Sequence, residues 1–270
     1  MDIDALIAEF TGRAPAATRT PEELEGAYGR VIDALIGTPP PPGAKIPPQQ
    51  VLDEIVVRAG APGTDAPRAA MERALLGALA RKASLNERIF LLRELAIAGG
   101  EDAVPALVAL LADRDAAVRG YALRALDANP SAAAGRALID ALGRADDAFL
   151  RLTILNALGR RREPAAVGAV AGLIESSDRE VAAAALAALG SIGTREARDA
   201  LSRARLPNDL LLERAHARLL CAERLRANGD GEAAAQVVRE IRESLSALPE
   251  GARAIIGGAA AFTGAPAPRT

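Results

Sequence analysis

Five stretches of the sequence repeat one another at steps of 31, 32, 31 and 31 residues. They are residues 87–95, 118–126, 150–158, 181–189 and 212–220, and each closes on a leucine. An apolar or small residue stands three places before every closing leucine, and in the first four stretches also four places before it, as one face of an amphipathic helix requires. Because a fixed period of this length marks units that cannot bury their apolar faces alone, the chain is predicted to fold as a stack of helical repeats.

The composition favours an all-α fold. Half of the 270 residues are hydrophobic but only 2% are aromatic, and the apolar residues are mostly Ala, Leu and Val. Such residues suit closely spaced helices better than a sheet of β-branched and aromatic strands. We therefore expect a right-handed α–α superhelix, an α-solenoid of about five helix pairs, preceded by a looser helical amino-terminal segment.

Helix and turn signals divide the chain into three parts. Residues 1–66 are expected to form an irregular helical segment with a Pro-rich linker at 39–48, because consecutive prolines cannot continue a helix. Residues 67–262 are expected to form the repeat array, and residues 263–270 a disordered tail. The predicted helix pairs of the array are 67–81 with 86–98, 102–112 with 116–128, 132–143 with 148–160, 164–175 with 179–189, and 195–203 with 209–226. Single helices are predicted at 3–10, 21–36, 48–59, 232–248 and 252–262.

Charge and cysteine content narrow the classes of function. The net charge is −2, so no long-range field attracts nucleic acid or an anionic membrane. The single cysteine, Cys221, excludes an internal disulfide and a cluster of cysteine metal ligands. No apolar run approaches the ~20 residues of a membrane span, and Met1–Asp4 lacks the basic region of a signal peptide. We therefore expect a cytoplasmic monomer with no cofactor and no metal.

One position of the repeat is charged although it faces inward. Seven places before the closing leucine stand Arg88, Arg119 and Arg151. An inward arginine needs a carboxylate or carbonyl partner, because leaving it unpaired costs several kcal/mol. The predicted partners are the aspartates of the preceding turns, Asp113, Asp115, Asp146 and Asp147.

The second of these repeats resembles a HEAT repeat. It carries the first-helix proline, the turn aspartate and the second-helix arginine of that family at Pro105, Asp113 and Arg119. The resemblance covers about residues 67–226 and extends to the HEAT-like repeats named after phycobilisome lyases, and the layout is similar to that of bacterial HEAT-repeat proteins. It implies that Asp113, Arg119 and Arg151 form a structural ladder of hydrogen bonds between neighbouring repeats.

Few residues are candidates for catalysis. His216 is the only histidine, and Cys221 follows it about 140° around the same predicted helix, so these two side chains do not face each other. His216 stands at an apolar position of the repeat, which predicts a packed or edge-of-core histidine, and Cys221 is predicted to be a small buried hydrophobic residue. A single histidine also excludes the repeated His-Glu iron ligands of HEAT-like deoxyhypusine hydroxylases, and no carboxylates form a distinctive pair. The sequence therefore favours a protein that is not an enzyme, and an enzymatic alternative would depend on His216.

The outward side of the first three second helices is the candidate binding surface. Two, five, six and nine places before the closing leucine, it carries aromatic, arginine and leucine side chains: Phe90, Arg93, Tyr121, Arg124, Phe149 and Leu152. Aromatic residues and arginine are the types that anchor protein interfaces. Because adjacent repeats can cover part of such a strip, packing is the alternative explanation. We expect another protein to bind here, in a protein–protein interaction or scaffold function.

Two other functions stay open. The lyase-like repeats imply an accessory, chaperone-like role in attaching a cofactor to another protein. HEAT-like DNA glycosylases hold a duplex on a basic concave surface, and Arg160, Arg161 and Arg162 could contact its phosphates. Three arginines in a short turn are more often a solvated corner, and the net charge is not positive, so nucleic acid is the weaker candidate.

Overall fold

The computed structural model describes residues 3–14, 17–36, 47–81, 84–248 and 250–263. Within these ranges all regular structure is helical and no strand occurs, so the all-α prediction is confirmed. The chain divides into two compact units, residues 1–137 and 138–270. The division falls inside a helix, and each unit is described separately below.

The helices of the described ranges alternate with short turns. Those that begin in the first unit are α1 (Ile3–Phe10), α2 (Pro21–Leu35), α3 (Pro48–Ala59), α4 (Asp65–Arg81), α5 (Leu85–Ala98), α6 (Val104–Leu110), α7 (Ala116–Ala128) and α8 (Ala132–Arg144). Those of the second unit are α9 (Ala148–Arg161), α10 (Val167–Ala171), α11 (Arg179–Ile192), α12 (Arg195–Arg203), α13 (Leu211–Ala227), α14 (Gly231–Ser244) and α15 (Glu250–Thr263). None of them is both long enough and apolar enough to cross a bilayer.

Two first helices are shorter than the sequence predicts. The predicted helix 102–112 is reduced to α6, and the predicted helix 164–175 begins as a 3-10 turn, Pro164–Ala166, and continues only as α10. Gly168 lies inside α10 and Gly172 directly follows it. Glycine weakens a helix by about 1 kcal/mol relative to alanine, so the apolar pattern alone overestimates the length of this helix.

Two predicted irregular segments fall largely outside the described ranges. Of the Pro-rich linker at 39–48, only Pro47 and Pro48 are described, and Pro48 is the first residue of α3. Of the predicted tail at 263–270, only the backbone of Thr263 is described, and this residue ends α15.

The second helices of the first four pairs begin at a polar cap that recurs with the repeat. Ser84, Asp115, Asp147 and Asp178 precede α5, α7, α9 and α11, and each side chain accepts a hydrogen bond from a main-chain N–H of the first turn. A cap of this kind satisfies amides that the helix cannot pair and contributes about 1 kcal/mol. The periodic turn residues therefore fix where each second helix starts.

In the first unit, second helices pack on second helices. α5 packs on α7, and its leucines Leu91, Leu92 and Leu95 are fully buried. On its other side α5 packs on α3, while α2 packs on α4. The pair α2–α3 therefore adds to the stack in the manner of a repeat, although its sequence does not show the period.

In the second unit, α11 lies between α9 and α13. Glycines let these helices approach closely: a Cβ on Gly190 would lie 2.6 Å from the carbonyl oxygen of Ala217, and one on Gly159 would lie 3.2 Å from the Cα of Ala188. Small residues thus set the spacing of the helices. α14 and α15 pack on α13 after the last predicted pair.

Candidate functional site

The repeat sets the inward face of the second helices, but α13 departs from the predicted register. In α5, α7, α9 and α11 the closing leucine is fully buried. In α13 Leu220 is only half-buried, and Ala222 takes the buried closing position two residues later than the period predicts. A 3-10 turn, Asn208–Leu210, precedes α13 in place of a side-chain cap. His216 is consequently exposed, and the prediction of a packed histidine is wrong.

The two candidates for a nucleophilic pair lie in different environments. Cys221 is fully buried, and burial raises the pKa of its thiol to about 11. His216 points away from the core, so the structure does not bring the two side chains together. A nucleophilic cysteine requires the opposite, a lowered pKa and an adjacent base. Within the described ranges, no three His, Cys, Asp or Glu side chains are grouped so that they could hold a metal ion.

Among the ion pairs that connect neighbouring helix pairs, two involve an arginine at the start of a second helix. Arg88 of α5 donates to the carboxylate of Asp113, in the turn before α7. This bond, together with one from the amide of Asp115 at 2.9 Å, holds the pKa of Asp113 below its usual range. In the second unit, Arg179 at the start of α11 donates to Glu213 of α13, and the sequence pattern did not indicate this pair.

The other two inward arginines bind main-chain carbonyls. Arg119 Nη1 donates to the carbonyl of Asp113 at 2.9 Å and to that of Arg114 at 3.2 Å. Arg151 donates through Nε and Nη2 to the carbonyl of Ala145, at 3.1 and 2.9 Å. Both sets of bonds stay within one repeat. They connect each second helix to the turn that precedes it.

In the first unit, the predicted surface lies on α5 and α7. Arg93 and Arg124 are exposed, whereas Phe90 and Tyr121 are half-buried. The guanidinium of Arg93 lies over the ring of Phe90, 5.8 Å from its centre, in an attractive cation–π contact. Ile97, one helical turn beyond Arg93, is 41% exposed. This part of α5 therefore presents apolar area and positive charge side by side.

In the second unit, the predicted surface lies on α9. Phe149 is 76% exposed, and Leu152 is half-buried. The adjacent helix α11 presents Ala183, Ala184 and Ala187 at its outward positions. Because these side chains are short, α11 forms a shallow apolar floor between the larger side chains of α9 and α13.

A polar pocket lies at the carboxyl-terminal end of this floor, between α9, α11 and α13. It has a volume of about 340 Å³ and is lined by Leu155, Asn156, Gly159, Arg160, Arg162, Ala187, Ala188, Ser191 and Arg224. Arg162 follows α9 in a left-handed conformation, with φ 51° and ψ 47°. Arg224 Nε is buried and has no hydrogen-bond partner among the described residues. The sequence shows three consecutive arginines at 160–162. It does not indicate that Arg224 lines the same pocket as Arg160 and Arg162.

A carboxyl pair that the sequence analysis does not predict lies between α3 and α5. Glu94 is 1% exposed, and neither of its carboxyl oxygens has a hydrogen-bond donor in the described structure. Asp53 lies within hydrogen-bonding reach, so a bond forms when one of the two carboxyls carries a proton. Burial, and then the charge of Asp53, raise the pKa of Glu94 to about 8. The expectation that no carboxylates form a distinctive pair is therefore wrong.

A sequence signal for this pair exists. Glu94 stands immediately before the closing leucine, where the next three second helices carry Ala125, Ala157 and Ala188. All three alanines are buried against neighbouring helices. A glutamate at a position that otherwise takes alanine marks a site where packing alone does not explain the residue.

Comparison with known proteins identifies the repeat. Residues 135–221, from α8 into α13, match the family model described as HEAT repeats. Residues 135–221 carry HEAT repeats. An engineered protein of known crystal structure is similar at 17% identity, with a TM-score of 0.35, over 87% of this chain and 95% of that chain. No curated protein matches the sequence.

The HEAT-repeat match contains α9, α11 and most of α13, and therefore most of the alanine floor and of the arginine-lined pocket. In these HEAT repeats the inward positions hold helices together. The outward positions of the second helices differ from one repeat to the next, from Phe149 on α9 to the alanines of α11. Because Phe149 is largely exposed, packing within the repeats does not account for this residue.

Proposed function

We propose that this HEAT-repeat chain is a protein-binding or scaffold module, and that its partner contacts the outward side of α5, α7 and α9. HEAT repeats generally mediate protein–protein interaction or scaffolding, and their fold is typically non-catalytic. We propose no chemistry of the chain's own. The burial of Cys221 away from the exposed His216 agrees with this proposal.

The exposure of large side chains on α9 and α5 carries the proposal. Phe149 leaves 76% of its surface in water, and burying a ring of this size against a partner contributes about 2 kcal/mol. In the first unit, Arg93 on α5 and Arg124 on α7 are exposed. Arginine next to aromatic area is typical of the few residues that dominate binding energy at protein interfaces.

The experiment is affinity capture from a lysate of the source cells, with quantitative mass spectrometry. The test variants are Phe90→Ala/Tyr121→Ala/Arg124→Ala in the first unit and Phe149→Ala/Leu152→Ala in the second. Each variant is first shown by circular dichroism to keep the helicity of the unmodified chain. We expect at least one of the two variants to lose specifically captured proteins by tenfold or more, since hot-spot truncations cost about 2 kcal/mol each.

The matched control changes exposed residues that lie outside the second helices. Glu101→Ala/Arg136→Ala/Asp140→Ala alters three such side chains, all of them exposed. This variant is expected to capture the same proteins as the unmodified chain. Capture that is equal for all variants would refute the proposed surface, and loss confined to the control would place the interface outside the second helices.

A further inference from the structure

The pocket between α9, α11 and α13 is electropositive. Arg160 and Arg162 reach it from the end of α9, and Arg224 reaches it from α13. No acidic residue is among the described side chains that line it. Small residues of α9 and α11 form another part of its lining: Gly159, Ala187, Ala188 and Ser191. Converging positive charge of this kind favours a negatively charged ligand.

Arg162 occupies a backbone position at which a side chain is unfavourable. Its φ is 51°, and the equivalent position after α11 is Gly193, with φ 66°. A residue with a Cβ pays about 1 to 2 kcal/mol for this left-handed conformation. Within the described ranges Arg162 is the one non-glycine residue with positive φ. Strain that persists at a pocket is an indication that the side chain has a role there.

Arg224 contributes a fixed and unsatisfied donor. Its aliphatic stem runs directly over Gly193, where any Cβ would collide with the Cβ and Cγ of Arg224. This contact limits the freedom of the guanidinium before a ligand arrives. Its Nε is buried without an acceptor among the described residues, and such an unpaired donor is costly. An acceptor oxygen bound in the pocket would remove that cost.

We propose that this pocket binds a phosphate monoester. A phosphate monoester carries nearly two negative charges near neutral pH and presents three acceptor oxygens, whereas a carboxylate offers one charge and two oxygens. The paired N–H groups of a guanidinium can donate two parallel hydrogen bonds to the oxygens of one phosphate. The pocket volume of about 340 Å³ corresponds to roughly ten water molecules, which is more than a phosphate group alone requires. The pocket therefore also admits part of the molecule to which the phosphate is attached.

Isothermal titration calorimetry on the full chain tests the proposal. The probes are O-phosphoserine, a short peptide with one phosphoserine, the same peptide without phosphate, and a duplex DNA, all at low ionic strength and pH 7.5. We expect the two phosphorylated probes to bind and the unphosphorylated peptide not to bind. A peptide that binds more than about tenfold more tightly than O-phosphoserine would identify a phosphorylated protein segment as the source of the ligand. Equal affinities would identify a free phosphorylated compound.

The variants separate recognition from folding. Arg162→Gly removes a guanidinium and relieves the left-handed strain, so this variant is expected to be at least as stable as the unmodified chain while binding O-phosphoserine about tenfold or more weakly. Arg224→Gln is expected to weaken binding to a similar extent. Arg205→Gln, at an exposed arginine outside the pocket, makes the same change in charge and is expected to leave binding unchanged.

Two results would overturn the phosphate site. One is the absence of binding by both phosphorylated probes, whether or not the duplex binds; binding of the duplex alone would indicate a nucleic-acid surface. The other is binding of O-phosphoserine that neither Arg162→Gly nor Arg224→Gln weakens. Neither result tests the proposed capture of proteins by α5, α7 and α9. The calorimetry uses only the isolated chain with small probes, and its variants do not change the residues of that surface.

Discussion

The buried carboxyl pair makes the stability of the first unit depend on pH. Glu94 is 1% exposed and faces Asp53 of α3, and the guanidinium of Arg93 on its own helix only partly offsets these unfavourable effects on its charge. Its pKa is about 8 in the folded chain, against 4.5 for an ordinary glutamate. Glu94→Gln keeps the size of the side chain and its ability to donate to Asp53, but it removes the titration.

The direction of the change in stability with pH follows from the number of protons that the folded and the unfolded chain bind. Between pH 4.5 and about 8 the folded chain holds a proton on Glu94 that the unfolded chain has released, so the free energy of unfolding falls as the pH rises. Each pKa unit corresponds to about 1.4 kcal/mol, which gives a loss of about 3 to 5 kcal/mol over this range. The contribution is therefore fully present below pH 4.5 and lost as the pH passes about 8. Glu94→Gln is expected to match the unmodified chain at pH 5 and to exceed its stability at pH 8.5.

Tyrosine fluorescence during urea denaturation measures this difference in the relevant unit. The chain has two tyrosines and no tryptophan, and Tyr28 and Tyr121 both lie in the first unit. Glu101→Gln, at an exposed glutamate, is the matched control and should show no difference that depends on pH. If Glu94→Gln stabilises the chain no more at pH 8.5 than at pH 5, the assignment of a buried, protonated Glu94 is refuted.

Three further predictions concern the core. Glu72→Ala should destabilise the first unit by about 2 to 4 kcal/mol in urea, because Glu72 accepts two main-chain N–H bonds, at 2.7 and 2.6 Å, that alanine would leave unpaired. Gly190→Ala should lower the free energy of unfolding by about 1 to 3 kcal/mol, since its Cβ would meet the backbone of Ala217; no loss would show that α11 and α13 lie further apart. Cys221 should resist iodoacetamide at pH 8 until urea unfolds the chain, and modification of the native chain would contradict its burial.

The helical architecture could be read from the sequence because several local signals agree. The closing leucines recur with the period of the repeat, and Asp115, Asp147 and Asp178 recur with them as helix caps. The apolar face therefore fixes which side of α7, α9 and α11 is buried, and the capping aspartate fixes the residue at which each helix begins. α7 consequently begins and ends at the predicted residues.

The register of α13 could not be predicted, because two of its leucines continue the period of the repeat without lying on the buried face. Leu212 and Leu220 continue the 31-residue step, but the burial of Arg218, Cys221 and Ala222 shows that the inward face is shifted by two residues. Arg218 is buried because it pairs with Glu240 of α14, a contact between residues 22 positions apart that no periodic pattern contains. Apolar periodicity alone does not anticipate a charged residue that is buried with its partner.

The sites that depend on side chains from different helices were the hardest to predict. Asp53 and Glu94 come together because α3 packs on α5, and the amino-terminal sequence does not show this packing. The pocket likewise needs Arg224 beside Arg162, through the close packing of α9, α11 and α13. The residues of the candidate surface, in contrast, follow from the helical period alone, and Phe149 is exposed at the position that the period gives it.

Hydroxyl-radical footprinting of a captured complex tests the proposed binding surface, because it reports the solvent exposure of individual aromatic side chains. In the free chain, Phe149 should be modified strongly and the half-buried Phe90 and Tyr121 less so. If the proposed surface is correct, partner binding lowers the modification of Phe149, of Phe90 and Tyr121, or of all three, and leaves that of the buried Tyr28 unchanged. Unchanged modification of all three surface aromatics in a stable complex would contradict it.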